Sequence, residues 1–402
     1  MNTHLHSPRR ASVSREGIVV LLGSSLTIMG SVMIAPVLPK LFAEFGSNTP
    51  HADILVPLTM TGPALAIALF APFAGWLADK LGRKALLIIA TLCYALIGAA
   101  PAFLDSLPSI VGTRLLFGFA EAAVLTCCTT LIADYWEGDS RLRMINLQVI
   151  TIAVIGASFF VLGGIAGEHS WRTPFFLYLL PLLLIPLMIK ILWEPKQIIQ
   201  LIQEEEKPVS IPTLVIGYVL VFGGMLLNFI VPVQTPALLV SIGVTSSTMI
   251  GLSAGLGLLA TLGGSILWPL ARRKLGIAGC NALLLSLGGL GLWLLSQAQT
   301  YEHVLVAVVI HGFGAGMLVP NAIAPVMNAL NARSRGRGIG GFTACLCLGQ
   351  FASPLLVVMV ASFGHSLREA ILVVGIAAGC AAFVWLVAQI LQQKRGVVVT
   401  SG

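Results

Sequence analysis

Glu121 is the only carboxylate deep inside any of the long apolar runs of this chain. An acid in hydrocarbon is costly to keep charged, so such a side chain is a functional candidate by default and suits a role in taking up and releasing a proton. Arg114 stands seven residues earlier, on nearly the same helical face but about 10 Å away along the axis, too far for a close ion pair without bridging water. His311 lies in another apolar run, four residues before Ala315, which is 194 residues beyond Glu121. Its imidazole can relay a proton or bind an anionic group. Asn228, Asn321 and Gln350 are further polar side chains within apolar runs, able to hydrogen-bond a ligand or to bridge helices.

Enzyme signatures do not survive their context. Gly251-Leu-Ser253-Ala-Gly255 fits the GxSxG pattern of hydrolases, but that chemistry needs a strained strand-to-helix turn, and this segment sits inside an apolar helix. Gly336-Arg-Gly338-Ile-Gly340-Gly341 fits GxGxxG, yet no strand precedes it, and glycines opening a helix have a simpler packing role. No GxxxxGK[ST] loop occurs, which leaves ion or substrate gradients as the energy source. The seven cysteines fall inside apolar runs without CxxC spacing, as packing residues do, and suggest neither disulfides nor a zinc site. No catalytic residue, metal ligand or cofactor is therefore assigned, and the chain is not expected to be an enzyme.

The elements that must hold these residues follow from composition. Of 402 residues, 57% are apolar and 10% charged, against about 25% charged in soluble domains. The expected fold is an all-α polytopic membrane protein. Twelve apolar runs, at 17–38, 54–78, 85–104, 108–133, 144–167, 174–193, 212–232, 246–271, 277–297, 303–330, 338–363 and 369–391, predict twelve transmembrane helices, numbered here 1 to 12. The first is longer than a signal-peptide core and lacks a suitably placed cleavage site. A net charge of +7 does not indicate nucleic acid, because the basic residues are scattered between apolar runs rather than gathered on a solvated face.

The basic residues instead set topology. With the N-terminus in the cytoplasm, inner segments hold nineteen Lys and Arg, the outer side keeps Lys40, Arg172 and Arg368, and Arg114 is within a span. This asymmetry favours both termini inside, in a cell inner (plasma) membrane. All seven tryptophans lie near predicted span ends, as an aromatic belt requires.

The halves repeat. Lys80-Leu81-Gly82 recurs 194 residues later as Lys274-Leu275-Gly276, Gly118 as Gly312, and Ser140, Arg141 and Arg143 as Ser334, Arg335 and Arg337. An offset of 196 carries His169, Ser170 and Arg172 onto His365, Ser366 and Arg368. The expected organisation is a tail at 1–16, a six-helix half at 17–193, a polar cytoplasmic linker at 194–211, a second half at 212–393 and a tail at 394–402.

At the turn between helices 2 and 3 the chain reads Gly75-Trp-Leu-Ala-Asp79-Lys-Leu-Gly82-Arg83-Lys84. This segment resembles the signature loop of the major facilitator superfamily. The resemblance extends to Pro36 and Pro39 ending helix 1, Arg114 with Gly118 in helix 4, Trp171-Arg172 before helix 6, and the half-repeat. It implies two six-helix halves around a central cavity lined by helices 1, 4, 7 and 10. Glu121 and His311 would then face each other across it as proton-coupling groups, with Arg114, Asn228, Asn321 and Gln350 on the cavity. Gly75, Asp79, Gly82, Arg83 and Lys84 would form a conformational latch: Gly75 permits close helix contact, and Asp79 can sit at the positive N-terminus of helix 11.

Within the family the chain resembles the twelve-helix drug:proton antiporter group, which implies a monomeric, proton-coupled exporter of small organic compounds in the lipid bilayer. Two departures matter. Helix 5 carries Gly156, Gly163, Gly164 and Gly167 without the Gly-Pro pair usual in exporters, and Arg273 replaces the acidic member in the second copy of the loop. An uptake symporter or facilitator for a small organic anion is the alternative, and a membrane-embedded enzyme or receptor is the different-class one.

Overall fold

The computed structural model describes residues 14–195, 209–331 and 334–400. Most of the expected N-terminal tail and of the 194–211 linker lies outside these residues, whereas the stretch expected as a tail from 394 continues the last helix to Thr400. Among the described residues every regular element is a helix. Eleven are long and apolar enough to cross a membrane, but one of them, Ser247–Gln297, is 51 residues long. A straight helix of that length would reach about 77 Å, more than twice a bilayer core of about 30 Å. It breaks at Gly276, where φ is 69° and ψ −169°, so helix 8 (247–275) and helix 9 (277–297) are separate spans and the total is twelve.

The other spans are helix 1 (Arg15–Phe45, in pieces), helix 2 (Ala52–Leu81), helix 3 (Arg83–Phe103), helix 4 (Leu107–Tyr135), helix 5 (Gly138–Ala166), helix 6 (Thr173–Ile191), helix 7 (Ile211–Ser241), helix 10 (Tyr301–Asn328), helix 11 (Arg335–Ala361) and helix 12 (Leu367–Thr400). With twelve spans, the start of helix 1 and the end of helix 12 share one side with the Gly82 turn, here the loop face. Arg172 and Arg368 lie at the far face.

Helix 1 corrects one expectation. Pro36 and Pro39 do not end it; the regular helix stops at Val32, and a short 3-10 turn at Ala35–Val37 leads into Leu38–Phe45. Both prolines sit in the first turns of the new pieces, where a missing N–H removes no hydrogen bond. The break leaves the last carbonyls of Arg15–Val32 without helical partners, and side chains from helices 4 and 6 use them. Helix 6 is also irregular, with a 3-10 stretch at Leu177–Leu184 containing Pro181. Two tryptophans depart from the belt pattern: Trp136 and Trp171 are buried, and Trp171 Nε1 donates to Glu44 Oε2 at 2.6 Å.

The repeat is visible in backbone crossings. A Cβ on Gly118 would lie 2.5 Å from the Pro63 carbonyl oxygen, and one on Gly312 would lie 2.5 Å from that of Gly257. Both members of the second pair are 194 residues on from the first. Helix 4 thus crosses helix 2 as helix 10 crosses helix 8, and only a residue without a side chain permits that spacing.

The halves meet where helix 5 crosses helix 8. A Cβ on Gly164 would stand 2.4 Å from the Ser247 carbonyl oxygen, and one on Gly251 would stand 2.3 Å from that of Phe160. The glycines of the GxSxG pattern and of helix 5 therefore serve one backbone-to-backbone contact.

Candidate functional site

A cavity of about 220 Å³ lies where helices 1, 2 and 5 face helices 7, 8 and 10. Its wall is mainly apolar, and Asp, Glu, Lys and Arg are missing from its lining. The polar residues on it are Ser31, Asn228, Thr235, Ser253, Thr261 and His311. The residues from helices 2, 7, 8 and 10 come from the central and far-side parts of those helices, beneath the helix 5–helix 8 crossing. Helix 4 contributes nothing to the lining, a departure from the expected set of helices 1, 4, 7 and 10.

The reason lies in helix 1. Arg114 is fully buried, and its Nη2 donates to the Gly30 carbonyl, one of the orphan carbonyls of the broken helix. Its Nε donates to Thr59 O at 2.9 Å, and the guanidinium lies 4.1 Å from the Phe117 ring centroid. Tyr178 OH from helix 6 donates to the same Gly30 O at 2.8 Å. Tyr94 OH from helix 3 donates to Leu26 O at 2.6 Å. Glu121, 2% exposed, points at the same place: a Cβ on Gly30 would meet its carboxylate oxygens at 2.7 and 2.9 Å. Glycine at 30 thus makes room for Glu121. Arg114 Nη1 and Glu121 Oε2 are buried and have no protein hydrogen-bond partner.

Of the expected cavity residues, the structure puts Asn228 and His311 on the wall. Arg114 lies behind helix 1, spent on backbone carbonyls. Asn321 is a packing hub: Oδ1 accepts from Trp268 Nε1 at 3.1 Å and Arg272 Nη1 at 2.6 Å, while Nδ2 donates to Ile277 O and Asn281 Oδ1. These bonds occupy the amide and tie helices 8, 9 and 10 together at the Gly276 break. Gln350 is half-buried on helix 11 and absent from the cavity wall. Among the described residues no hydrogen bond or ion pair joins Glu121 to His311.

At the loop face, Arg83 pairs with Asp134 of helix 4 and lies 3.8 Å from Asp79. Lys84 Nζ donates to Ile189 O at 2.8 Å. The backbone N–H groups of Arg83 and Lys84 donate to Glu194 at 2.5 and 2.9 Å, so the carboxylate caps helix 3, where the helix dipole favours negative charge. Gly82, at φ 90°, lies against that carboxylate. Asp79 is 66% exposed. A Cβ on Gly75 would meet nothing within 4 Å, so in this conformation the expected close contact at Gly75 is not made.

The far face differs. Glu168, just beyond helix 5, accepts from Thr248 N at 3.0 Å and Thr248 Oγ1 at 3.1 Å, and so caps helix 8 of the other half. Lys40 Nζ donates to Gly167 O at 2.7 Å and to Glu168 O. Sequence reasoning passed over Glu168, Thr235, Tyr178 and Glu194. The last had a usable signal, because Gln389, 195 residues on, accepts from Gly279 N at 3.1 Å at the start of helix 9.

Known proteins agree with this architecture. A bacterial homologue of the human lysosomal transporter Spinster, in an inward-facing and occupied conformation, superposes with a TM-score of 0.74 at 14% identity, covering 94% of this chain and 97% of that one. The xylose transporter of E. coli in an inward-open conformation gives 0.74 at 15% identity, covering 92% and 95%. In sequence, the gallate transporter of Pseudomonas putida is 30% identical over 173 residues, 42% of this chain but only 36% of that protein. The class H tetracycline resistance protein of Pasteurella multocida is 31% identical over 164 residues, 39% of each chain. The 3-(3-hydroxy-phenyl)propionate transporter of Escherichia coli K12 is 26% identical over 307 residues, 72% of this chain and 73% of that one. Residues 20–354 match the profile of the Major Facilitator Superfamily, and with twelve helices in its fold this chain belongs to that superfamily of membrane transporters.

Proposed function

We propose that the chain is a proton-coupled secondary transporter that exports small, mainly apolar organic compounds by alternating access. The observation that carries this reading is the central cavity, mainly apolar and lined by neither acid nor Lys nor Arg. Such a wall accommodates amphipathic or neutral cargo and gives an anion no fixed partner. Glu121 is the coupling group: its Oε2 is buried without a protein donor, a place where a proton can reside, and Gly30 of helix 1, whose neighbours Ile28, Ser31 and Val32 are on the cavity wall, lies directly against it. His311 meets cargo from the cavity side. The halves at 17–193 and 212–393 rock about the cavity, joined by the linker at 194–211, and the Gly75–Lys84 loop latches the loop face when it closes.

Uptake of a small organic anion is favoured by the gallate and 3-(3-hydroxy-phenyl)propionate transporters among the relatives. The tetracycline resistance protein favours export. Transport into inside-out against right-side-out vesicles separates the two directions. Counting protons exchanged per substrate in proteoliposomes tests the coupling: Glu121→Gln should abolish gradient-driven transport, and unchanged coupling removes Glu121 from the mechanism. Orientation is checked with single cysteines at Ser106 and Ser210 on a cysteine-free background. These should label from opposite sides, Ser210 from the cytoplasm, and labelling from one side sinks the topology.

A further inference from the structure

A separate cleft opens at the far face, between helices 1 and 2 of the first half and helices 7, 11 and 12 of the second. It measures about 750 Å³ and shares no lining residue with the central cavity. Helix 7 divides the two: Pro232 and Thr235 are on the central cavity, while Val233, Gln234 and Ala237 are on the cleft. The piece of helix 1 beyond the Ala35–Val37 break supplies Leu38 and Phe42 to the opposite wall. Leu38, Val56, Val233 and Val357 are buried and make an apolar floor.

Two polar side chains of this cleft have no partner among the described residues. Gln234 is 7% exposed, and its amide, on the cleft wall, makes no hydrogen bond. A buried amide is costly to leave unpaired, so the site favours a ligand that completes it. Asp53 stands exposed on the rim, and its carboxylate makes neither a hydrogen bond nor an ion pair. It alone is charged among the lining residues. The basic residues of the far face are committed elsewhere: Lys40 to Gly167 O and Glu168 O, Arg172 to Glu44 and Asp105, Arg368 to Ser296 O and Ala298 O. The cleft thus offers an unbalanced negative charge beside an apolar floor.

We propose that the far-face cleft binds an amphipathic organic cation, whose ammonium pairs with Asp53 at the rim while its apolar body covers the floor. The Gln234 amide takes a further polar group carried on that body. A carboxylate ligand would meet Asp53 as a like charge, and a neutral one would leave it unbalanced. The volume suits a drug-sized ligand, for which sites of roughly 300–1,000 Å³ are usual. This site is additional to the central cargo cavity and holds whatever the direction or coupling of transport.

The test is binding of phenylbutylamine, phenylbutanol and phenylbutyrate by titration calorimetry. The full-length protein is held in nanodiscs of zwitterionic phosphatidylcholine, and the signal of empty nanodiscs is subtracted. The three probes share one apolar body, so their order reads charge. At neutral pH the amine should bind about fivefold tighter than the alcohol, the upper end for an exposed ion pair, with the butyrate weakest. Added salt should narrow the gap. Asp53→Asn should bring the amine down to the alcohol and leave the alcohol unchanged. Ala237→Trp, at an exposed position on the cleft, should weaken all three. The alcohol or the butyrate matching the amine in the parent overturns the proposal, as does an amine advantage that survives Asp53→Asn. Binding untouched by Ala237→Trp puts the probes elsewhere and overturns it too. The parent order decides alone if a variant does not fold, and binding of none of the three rejects this ligand class.

Discussion

The two faces of the molecule place their carboxylates differently. At the far face a carboxylate of the first half, Glu168, caps helix 8 of the second, and glycines bring helices 5 and 8 to backbone contact. At the loop face the carboxylate Asp79 is largely exposed beside Arg83 of its own turn. Gly75, and Gly336 and Gly340 of helix 11, have open space where a side chain would stand. The far-face cap thus joins the two halves, whereas the bonds of Arg83 to Asp134 and of Glu194 to the start of helix 3 lie within the first half. A carboxylate at a helix N-terminus contributes typically 0.3–1 kcal/mol, weak enough to exchange, so alternation needs no strong bond broken at either face.

The largest effect should come from filling the closed contact. Gly164→Ala puts a methyl 2.4 Å from the Ser247 backbone oxygen, and overpacking of this kind costs about 1–3 kcal/mol. Transport should fall at least about fivefold, the lower end of that cost being near a factor of five. A cysteine placed at Ser31 on a cysteine-free background should become more reactive from the far side. Gly75→Leu is the opposite break: it has room in this conformation, so thermal stability should hold while transport falls because the loop face cannot close. Equal destabilisation by both substitutions would show that the two faces do not alternate.

A smaller effect is expected from Glu168. Burial opposes its ionisation, but the Thr248 N–H, the Thr248 and Ser246 hydroxyls and the Lys40 charge outweigh it and hold the carboxyl below its ordinary value of 4.5. A lowered value means that the ionised form favours far-face closure. This contribution is fully present above pH 4.5 and is lost as pH falls through the lowered value. Glu168→Gln should shift the balance toward far-face opening by about two- to fivefold at neutral pH. Labelling at Ser31→Cys reads the shift, and it should disappear between parent and variant in acid. A variant indistinguishable from the parent at neutral pH would make the cap incidental.

The sequence announces the helices because apolar runs are long and charge falls between them. Even the break at Gly276 is legible, since Lys274-Leu275-Gly276 repeats Lys80-Leu81-Gly82. Helix 1 is not: proline marks a lost N–H, and whether the chain stops or starts a new turn depends on what packs there. That one uncertainty hides the site's main rearrangement, because Arg114 turns away from the cavity toward a carbonyl exposed only by the break. Asn321 misleads for a related reason, its four partners coming from two other helices whose crossing no local pattern encodes. Thr235 is invisible in sequence, since Thr59 and Thr91 stand in similar apolar runs and bond back to their own helices at 2.6 and 2.8 Å.

The smallest expected effect separates charge from geometry in the repeated caps. Glu194 and Gln389 occupy equivalent places, one accepting at the start of helix 3 and the other at the start of helix 9. The second half therefore uses an amide where the first uses a carboxylate. Glu194→Gln keeps an acceptor and loses only the charge, so it should cost about 0.5 kcal/mol. Glu194→Ala leaves two N–H groups to water and should cost about 1–2 kcal/mol, with Gln389→Ala toward the lower end because one N–H is involved. Thermal midpoints of the purified variants give the order. The Glu194→Gln difference should shrink with added salt, because the carboxylate is exposed and screening acts on exposed charge. If Glu194→Gln costs as much as Glu194→Ala and salt does not reduce it, the amide at Gln389 is not the functional equivalent of the carboxylate. The loop-face cluster of the first half would then depend on Glu194 as a charge among Arg83, Asp79 and Asp134 rather than as a cap.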